Sequence, residues 1–256
     1  MDDKTLSVVI MAGGLGKRMN SELPKVLHNV GEVPMLVRVI NQVQKLEPEN
    51  IYIVVGKYKS IIEETLLSYG LDDIEYVYQE IPKGTGHAVQ CAVEDLSNDG
   101  SDYVLVLNGD NPLIQSNTLE KMIKNTDKCK IMTAIYKNQR GSGRIVLNEI
   151  SKEFEKIVEE KDCNDEQLKI KRVNAGIYLF SNEVLVNNIM KLDNNNSQNE
   201  YYLTDVIEII KNEEDCNIQM YTQPPSKNDE LLGANDQEQL SELNRIYEEK
   251  FRNNMP

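Results

Sequence analysis

"LSVVIMAGGLGKRMNSELPK", residues 6–25, joins an apolar run to a cluster of glycines and cations. Residues 6–12 are apolar and rich in β-branched side chains, the pattern of a strand buried on both faces. Gly13, Gly14 and Gly16 follow, then Lys17 and Arg18, with Lys25 seven residues after Arg18. A glycine-rich turn leaving the C-terminal end of a first strand is where open α/β sheets bind ligands. Glycines there let backbone N–H groups approach phosphate oxygens closely. Three familiar phosphate loops fail. A P-loop would need glycine at Met11 and Ser or Thr at Arg18. A dinucleotide fingerprint starting at Gly14 would need glycine at Met19. A kinase-type loop would need two flanking antiparallel strands, and nothing here suggests them.

Outward from that turn, apolar runs recur at 51–55, 74–78, 103–107 and 131–136. Helical stripes lie between them: Met35, Leu36, Val39, Ile40 and Val43; Ile61, Ile62, Leu66 and Leu67; Ala88, Val89, Ala92, Val93 and Leu96. The alternation predicts an α/β fold with right-handed crossovers and a doubly wound, mostly parallel, Rossmann-like sheet. After residue 140 the rhythm changes. Residues 143–147, 154–160 and 171–180 read as strands with irregular connections, 203–211 as a helix and 217–222 as a strand. A charged helix over 236–251 ends the pattern, and the polar segment 192–200 reads as a mobile loop. No composition break marks a linker. The expectation is one domain over 1–256: a first part to about residue 140, a smaller β-rich part over about 141–235, and a C-terminal helix over 236–256.

The chain carries 28 Lys and Arg against 42 Asp and Glu, a formal net charge of −14. That argues against nucleic acid as a partner, and it makes a local cluster of cations more informative. Four scattered cysteines form no C-x-x-C pair, so neither a zinc site nor a disulfide framework is expected. No apolar run approaches the ~18 residues of a membrane span. The acidic start "MDDK" lacks the basic region of a signal peptide. Cytoplasmic residence, with no membrane partner, is the expectation.

What remains of the opening stretch, "MAGGLGKRMNSELPKVL", resembles the signature of sugar nucleotidyltransferases, A-x-G-x-G-x-R-M followed by Pro-Lys. The short spacing to Pro24-Lys25 is similar to the uridylyltransferase half of bacterial N-acetylglucosamine-1-phosphate uridylyltransferases. Further segments match in the same order. "QEIPKGTGHAVQCA" (79–92) resembles the uracil-binding segment, and "LNGDNPLI" (107–114) the strand end whose aspartate holds a metal. "GSGRIV" (141–146), "IVEEKD" (157–162), "RVNAGIYLF" (172–180) and "EYYLTDVI" (200–207) resemble the sugar-side motifs. "LGAND" (232–236) resembles the segment that supplies a second metal ligand.

The resemblance implies attack by the phosphate oxygen of N-acetylglucosamine 1-phosphate on the α-phosphorus of UTP, with pyrophosphate leaving. It implies Arg18 and Lys25 as the catalytic cations and Asp110 with Asn235 as ligands of Mg²⁺. Ala12, Gly14, Gln79, Gly84 and Thr85 would contact the nucleotide. Gly143, Glu159, Asn174, Tyr202 and Thr204 would contact the sugar. The chemistry suits these types. Guanidinium offers a planar fork of donors, Mg²⁺ takes few protein oxygens and keeps sites for water and phosphate, and Glu159 and Asn174 would need partners if buried. His28 and His87 read as packing residues, since the attacking oxygen is already ionised. Two residues depart from the family's pattern: Asn108 stands where a tyrosine is common, and Pro82 replaces a polar residue of the uracil segment. Another sugar phosphate or base, or a non-catalytic homologue, is the alternative. No hexapeptide repeat follows residue 235, so the acetyltransferase half of the bacterial enzymes is not expected, and oligomeric state stays open.

Overall fold

In the computed structural model, which describes residues 4–136 and 141–252, the opening run becomes β1, Leu6–Met11, buried through Ile10. Val8 and Ile10 join one apolar layer and Val9 the other. This is the two-sided burial that a continuous apolar run predicts. The chain continues through β2 (Asn29–Val30), β3 (Val33–Pro34), α1 (Met35–Val43), β4 (Asn50–Val55), α2 (Lys59–Ser68) and β5 (Glu75–Tyr78). Next come α3 (Thr85–Cys91), α4 (Val93–Asn98), β6 (Tyr103–Asn108), α5 (Ser116–Ile123) and β7 (Cys129–Ile135). The remainder is β8 (Arg144–Leu147), β9 (Phe154–Val158), α6 (Asp165–Leu168), β10 (Arg172–Ser181), α7 (Asn182–Ile189), α8 (Leu203–Glu213), β11 (Gln219–Thr222) and α9 (Gln237–Ile246).

The main sheet runs β11-β7-β10-β6-β1-β4-β5, with β8 and β9 attached beside β10. β1 pairs in parallel with β4 on one side and β6 on the other. The chain therefore leaves β1 in one direction and later returns on its other flank, which opens a crevice at the C-terminal ends of these strands. The stripe Met35, Leu36, Val39, Ile40 and Val43 of α1 is fully buried, as its spacing predicts. α1, α2 and α5 cover one face of the sheet; α3, α4, α7 and α8 cover the other.

β10 falls within the smaller β-rich part expected over about 141–235, and it lies inside the main sheet, antiparallel to both β6 and β7. The reason is its C-terminal half: Ile177, Tyr178, Leu179 and Phe180 are all buried and need neighbours on both faces. Only its start reaches out, pairing Val173 with Arg144 of β8. The β-rich part is thus β8, β9 and the first residues of β10. The expected boundary near residue 140 falls on 137–140, outside the described residues.

The segment 192–200, read as a mobile loop, is laced to itself and to its surroundings. Asn196 Nδ2 donates to Glu200 O over 2.6 Å, and Ser197 N donates to Asp162 Oδ1 over 3.0 Å. α9 is the expected C-terminal helix, though residues 253–256 of the expected range lie outside the described residues. Its Leu243 and Ile246, with Tyr247, pack on Val30 and Met35 beside the β2–β3 hairpin. Burying two such aliphatic side chains stabilises this contact by about 1.5–3 kcal/mol each. Among the described residues no helix is long and apolar enough to cross a membrane.

Candidate active site

The C-terminal ends of β1, β4, β5 and β6 form one edge, and the antiparallel β10 brings its beginning to the same edge. Ala12 sits just beyond β1, its N–H donated to Val54 O over 2.9 Å. That N–H belongs to the sheet, so a base contact at Ala12 would have to use its carbonyl. A Cβ at Gly13 would lie 3.0 Å from Oε1 of Gln79, whereas one at Gly14 would meet open space. Gly13, part of the glycine cluster but not among the expected nucleotide contacts, is the position where the backbone and Gln79 approach. Gln79 is buried at the end of β5. Its Nε2 donates to Gly84 O over 3.2 Å and lies 2.9 Å from Nδ1 of His87. That arrangement aims Oε1 at the glycine loop. Burial lowers the His87 pKa, with Lys83 adding to the effect. The neutral ring can accept the amide proton, so His87 holds Gln79 as well as packing.

Gly84 has φ of +113°, and a Cβ there would fall 2.5 Å from Tyr201 O. The loop at 83–86 is stitched to 200–203: Tyr201 N donates to Lys83 O, and Gly86 N to Tyr201 O, each over 2.8 Å. Thr85 Oγ1 accepts from Leu203 N over 3.1 Å, at the start of α8. The expected base contact Thr85 therefore joins the glycine-loop region to the start of α8, where the residues expected to contact the sugar lie.

Arg18 is exposed and stands next to Met19, which is buried at 1% exposure. Met19 O accepts from Nε2 of Gln237, at the first turn of α9, over 2.9 Å. The turn that carries Arg18 is thus pinned by an apolar side chain and by an amide from the far end of the chain. Lys25 contacts Asp110 Oδ2 and also donates to Asn235 Oδ1 over 3.1 Å. Three of the predicted residues, 85 and 210 positions apart from Lys25, meet at one point.

Local contacts hold that meeting. Asn235 N donates to Gln239 Oε1 over 2.7 Å, and Asp236 Oδ1 caps α9 by accepting from Gln239 N over 2.9 Å. Asn111 Nδ2 donates to Leu231 O over 2.8 Å, which ties the 231–235 segment beside Asp110. Among the described residues no group of three or more His, Cys, Asp or Glu could hold a metal. One carboxylate and one amide oxygen on a common cation nevertheless fit a hard ion that takes its other ligands from water and phosphate.

The sugar-side residues meet where β8, β9, the start of β10 and α8 converge. Between Asn174 and Tyr178, β10 advances four residues while β7 advances two. The "NAG" motif is this bulge, and bulges of this kind re-aim side chains. Gly176 has φ of +73°, and a Cβ there would lie 2.7 Å from Nδ2 of Asn108. Asn174 braces the bulge: its Nδ2 donates to Tyr178 OH over 2.6 Å, and its Oδ1 accepts from Gly176 N over 3.2 Å. Gly143 O accepts from Asn174 N over 2.9 Å. A Cβ on Gly143 would come within 3.3 Å of Glu159 Oε1.

Thr204 Oγ1 donates to Glu159 Oε1 over 3.0 Å. Burial pushes the Glu159 carboxyl above the ordinary value, partly offset by the Thr204 hydrogen bond. Tyr202 is buried, and its OH donates to Asp162 Oδ2 over 3.3 Å while accepting from Gln198 Nε2 over 2.8 Å. It braces the 198–202 turn. Asp205, on the first turn of α8, is pushed up to about 6 by burial and then by Glu159 and other carboxylates.

The structure therefore brings Arg18, Lys25, Asp110 and Asn235 to one region. Glu159, Asn174, Gly143 and Thr204 gather in a second, and the Thr85–Leu203 seam joins them. The sequence reading missed Gln237, Asn111 and Asp205. Gln237 sits in a polar run with no motif, and only its tertiary partner distinguishes it.

A profile of the MobA-like NTP transferase domain matches residues 8–197. A probable UDP-N-acetylglucosamine pyrophosphorylase of Acanthamoeba polyphaga mimivirus is 42% identical over 246 residues, covering 94% of this chain and 96% of the relative. The bifunctional protein GlmU of Clostridium novyi (strain NT) is 43% identical over 249 residues, covering 94% of this chain. The chain spans 52% of that bacterial relative, about half its length. Among solved structures, a UDP-glucose pyrophosphorylase complexed with UDP-glucose superimposes with a TM-score of 0.72 at 17% identity, covering 96% of this chain and 99% of that one. A putative glucose-1-phosphate thymidylyltransferase from Bacillus anthracis gives 0.71 at 18% identity, covering 94% and 95%. Those two likenesses carry the fold; the profile, with the relatives at about 40% identity, carries the kinship, and the chain belongs to the MobA-like NTP transferase family.

Proposed function

We propose that this protein transfers the uridylyl group of UTP to N-acetylglucosamine 1-phosphate, releasing pyrophosphate. The observation that carries the reading is the convergence of Lys25, Asp110 and Asn235 beside the glycine loop. The mimivirus relative, named a probable UDP-N-acetylglucosamine pyrophosphorylase, supports the choice of base and sugar. A phosphate oxygen of the sugar phosphate forms a bond to the α-phosphorus, and the bond from that phosphorus to the bridging oxygen of pyrophosphate breaks. No proton need move, because the nucleophile is ionised. The task of the chain is to hold several anions together, and fixed cations do most of that work.

In this reading Arg18 binds the departing pyrophosphate with its fork of donors. Lys25 neutralises charge at the α-phosphate. Asp110 and Asn235 hold Mg²⁺, which would neutralise phosphate charge when bound. Gln79, fixed by His87, reads the edge of the base, with Gly84 and the Ala12 carbonyl beside it. A base with the wrong edge leaves these polar groups unpaired, which is costly in a closed site. Glu159 and Asn174 accept from or donate to sugar hydroxyls and the acetamido group, with Thr204 orienting the Glu159 carboxylate. Tyr202 shapes this pocket by holding its loop. A pyrophosphate-release assay over a matrix of nucleoside triphosphates and sugar 1-phosphates tests the reading. Highest kcat/KM for UTP with N-acetylglucosamine 1-phosphate is expected; preference for another pair reassigns the substrates.

A further inference from the structure

The two oxygens read above as the cation site already hold a cation. The Lys25 ammonium reaches both Asp110 Oδ2 and Asn235 Oδ1. The pair is sheltered, the two charged side chains being 17% and 12% exposed. Among the described residues no further cluster of acidic or imidazole groups enlarges the site. An ammonium and a metal ion compete for these lone pairs and repel each other at contact distance. A metal ion that takes Asp110 Oδ2 and Asn235 Oδ1 together would have to displace Lys25. Lys25 opens a short turn, Lys25–Leu27, and its flexible stem carries a point charge that phosphate oxygens can also satisfy.

We propose that Lys25 is a built-in competitor for the metal. In the nucleotide-free protein it closes the cation site. A nucleoside triphosphate opens it by drawing the ammonium onto its phosphates, so the divalent cation binds well only with the nucleotide. The same movement brings Lys25 to the phosphate where its charge is used. By linkage, nucleotide and cation then favour one another's binding to the same extent in both directions. This deepens the proposed function and rests on its assignment of Asp110 and Asn235 to the metal.

The test uses Mn²⁺ alone, titrated into the full chain without nucleotide or sugar phosphate, with free Mn²⁺ read by electron paramagnetic resonance. Wild type should bind weakly, and Lys25→Met should bind at least ~10-fold more tightly, within the usual range of coupling between sites. Lys25→Arg, which keeps the charge, should stay close to wild type. Binding by Lys25→Met that equals or falls below wild type overturns the proposal. Asp110→Asn should abolish binding; full binding by that variant overturns both the proposal and the metal assignment. A second measurement needs no charge-removing variant. In wild type carrying lysine labelled with ¹³C at Cε, the Lys25 resonance should shift in step with Mg²⁺ occupancy. A resonance that stays in place while Mg²⁺ saturates the site overturns the proposal. Neither experiment involves turnover, so failure here leaves uridylyl transfer standing, and failure of the substrate matrix leaves the exchange standing.

Discussion

The two regions of the crevice, proposed above as its phosphate side and its sugar side, are built on opposite plans. On the phosphate side the parallel strands β1 and β6 end in loops, and the candidate functional groups are cations and backbone. Arg18 is exposed, Gly14 faces open space, and Lys25 spends its charge on a neighbour that a ligand can replace. On the sugar side the antiparallel, bulged β10 meets β9 and α8, and the polar groups are paired with one another before any ligand arrives. Glu159 holds Thr204, Asn174 holds Tyr178 and Gly176, and Tyr202 holds Asp162. Under the proposed function the difference follows from the chemistry of the two substrates. A triphosphate brings charge that pays for rearrangement, so its side can stay open. A sugar brings neutral hydroxyls worth little each, so its side must be organised in advance.

Removing a cation should expose the first plan most sharply. Arg18→Ala or Lys25→Ala is expected to lower kcat by ~10²–10³, the usual loss when one positioned charge is taken from such a site. Thermal unfolding should change little for Arg18→Ala, because Arg18 is solvent-exposed; Lys25→Ala leaves the sheltered Asp110 carboxylate without its partner and should lower the Tm. A Lys25→Ala enzyme within about threefold of wild type would remove the lysine from the mechanism. In the same group, Asp110→Asn should raise the Mg²⁺ concentration for half-maximal rate, and EDTA should abolish turnover.

Effects on the sugar side should be smaller and confined to one substrate. Glu159→Gln is expected to lower kcat/KM for the sugar phosphate by roughly 10-fold or more, about the worth of a hydrogen bond to a charged group. The KM for UTP should stay within about twofold. Loss of affinity for both substrates would mean that the two regions are coupled more tightly than their contacts suggest. Wild type should favour N-acetylglucosamine 1-phosphate over glucose 1-phosphate by at least ~10-fold in kcat/KM, which is one good hydrogen bond or one filled methyl pocket.

Gln237→Ala tests whether the open side depends on remote support. Losing one neutral hydrogen bond, about 1 kcal/mol, should raise the KM for UTP about fivefold while leaving the sugar phosphate KM unchanged. An unchanged UTP KM would make the Gln237–Met19 contact ornamental to the loop.

The smallest effect concerns pH. Asp205 is pushed up to about 6 in the folded protein, chiefly by burial, from 3.8. The unfolded chain therefore releases this proton first, and the group's contribution to stability falls as pH rises from about 4 to about 6. Asp205→Asn has no such penalty. The Tm of the variant relative to wild type should climb across that window and level off above it. A difference that is flat with pH would show that Asp205 titrates normally.

Much of the fold was legible before any coordinates. The apolar runs at 6–12, 51–55 and 103–107 could only be strands buried on both faces, and the α1 stripe could only face a core. Local periodicity reports burial, and burial here is what the sheet enforces. The glycine–cation turn and the ordered motifs after it likewise pointed to a nucleotidyltransferase, because phosphate chemistry uses contiguous residues at the end of a strand. β10 was harder. Its apolar half and its polar start form one strand serving two regions, and nothing local says which neighbours it takes. The loop at 192–200 is similar: its polar residues read as solvated, and only the tertiary structure gives them partners such as Asp162.

The sequence by itself thus determined the strand–helix alternation, the glycine-rich turn after β1 and the identity of the charged groups, since each depends on spacing within a short window. Tertiary structure alone decided that Lys25, Asp110 and Asn235 share one point, that Gln237 holds the Arg18 turn, and that the "NAG" segment is a bulge set against Asn108. Those contacts join residues far apart in the chain. Their existence depends on how the sheet orders its strands, which no local pattern encodes.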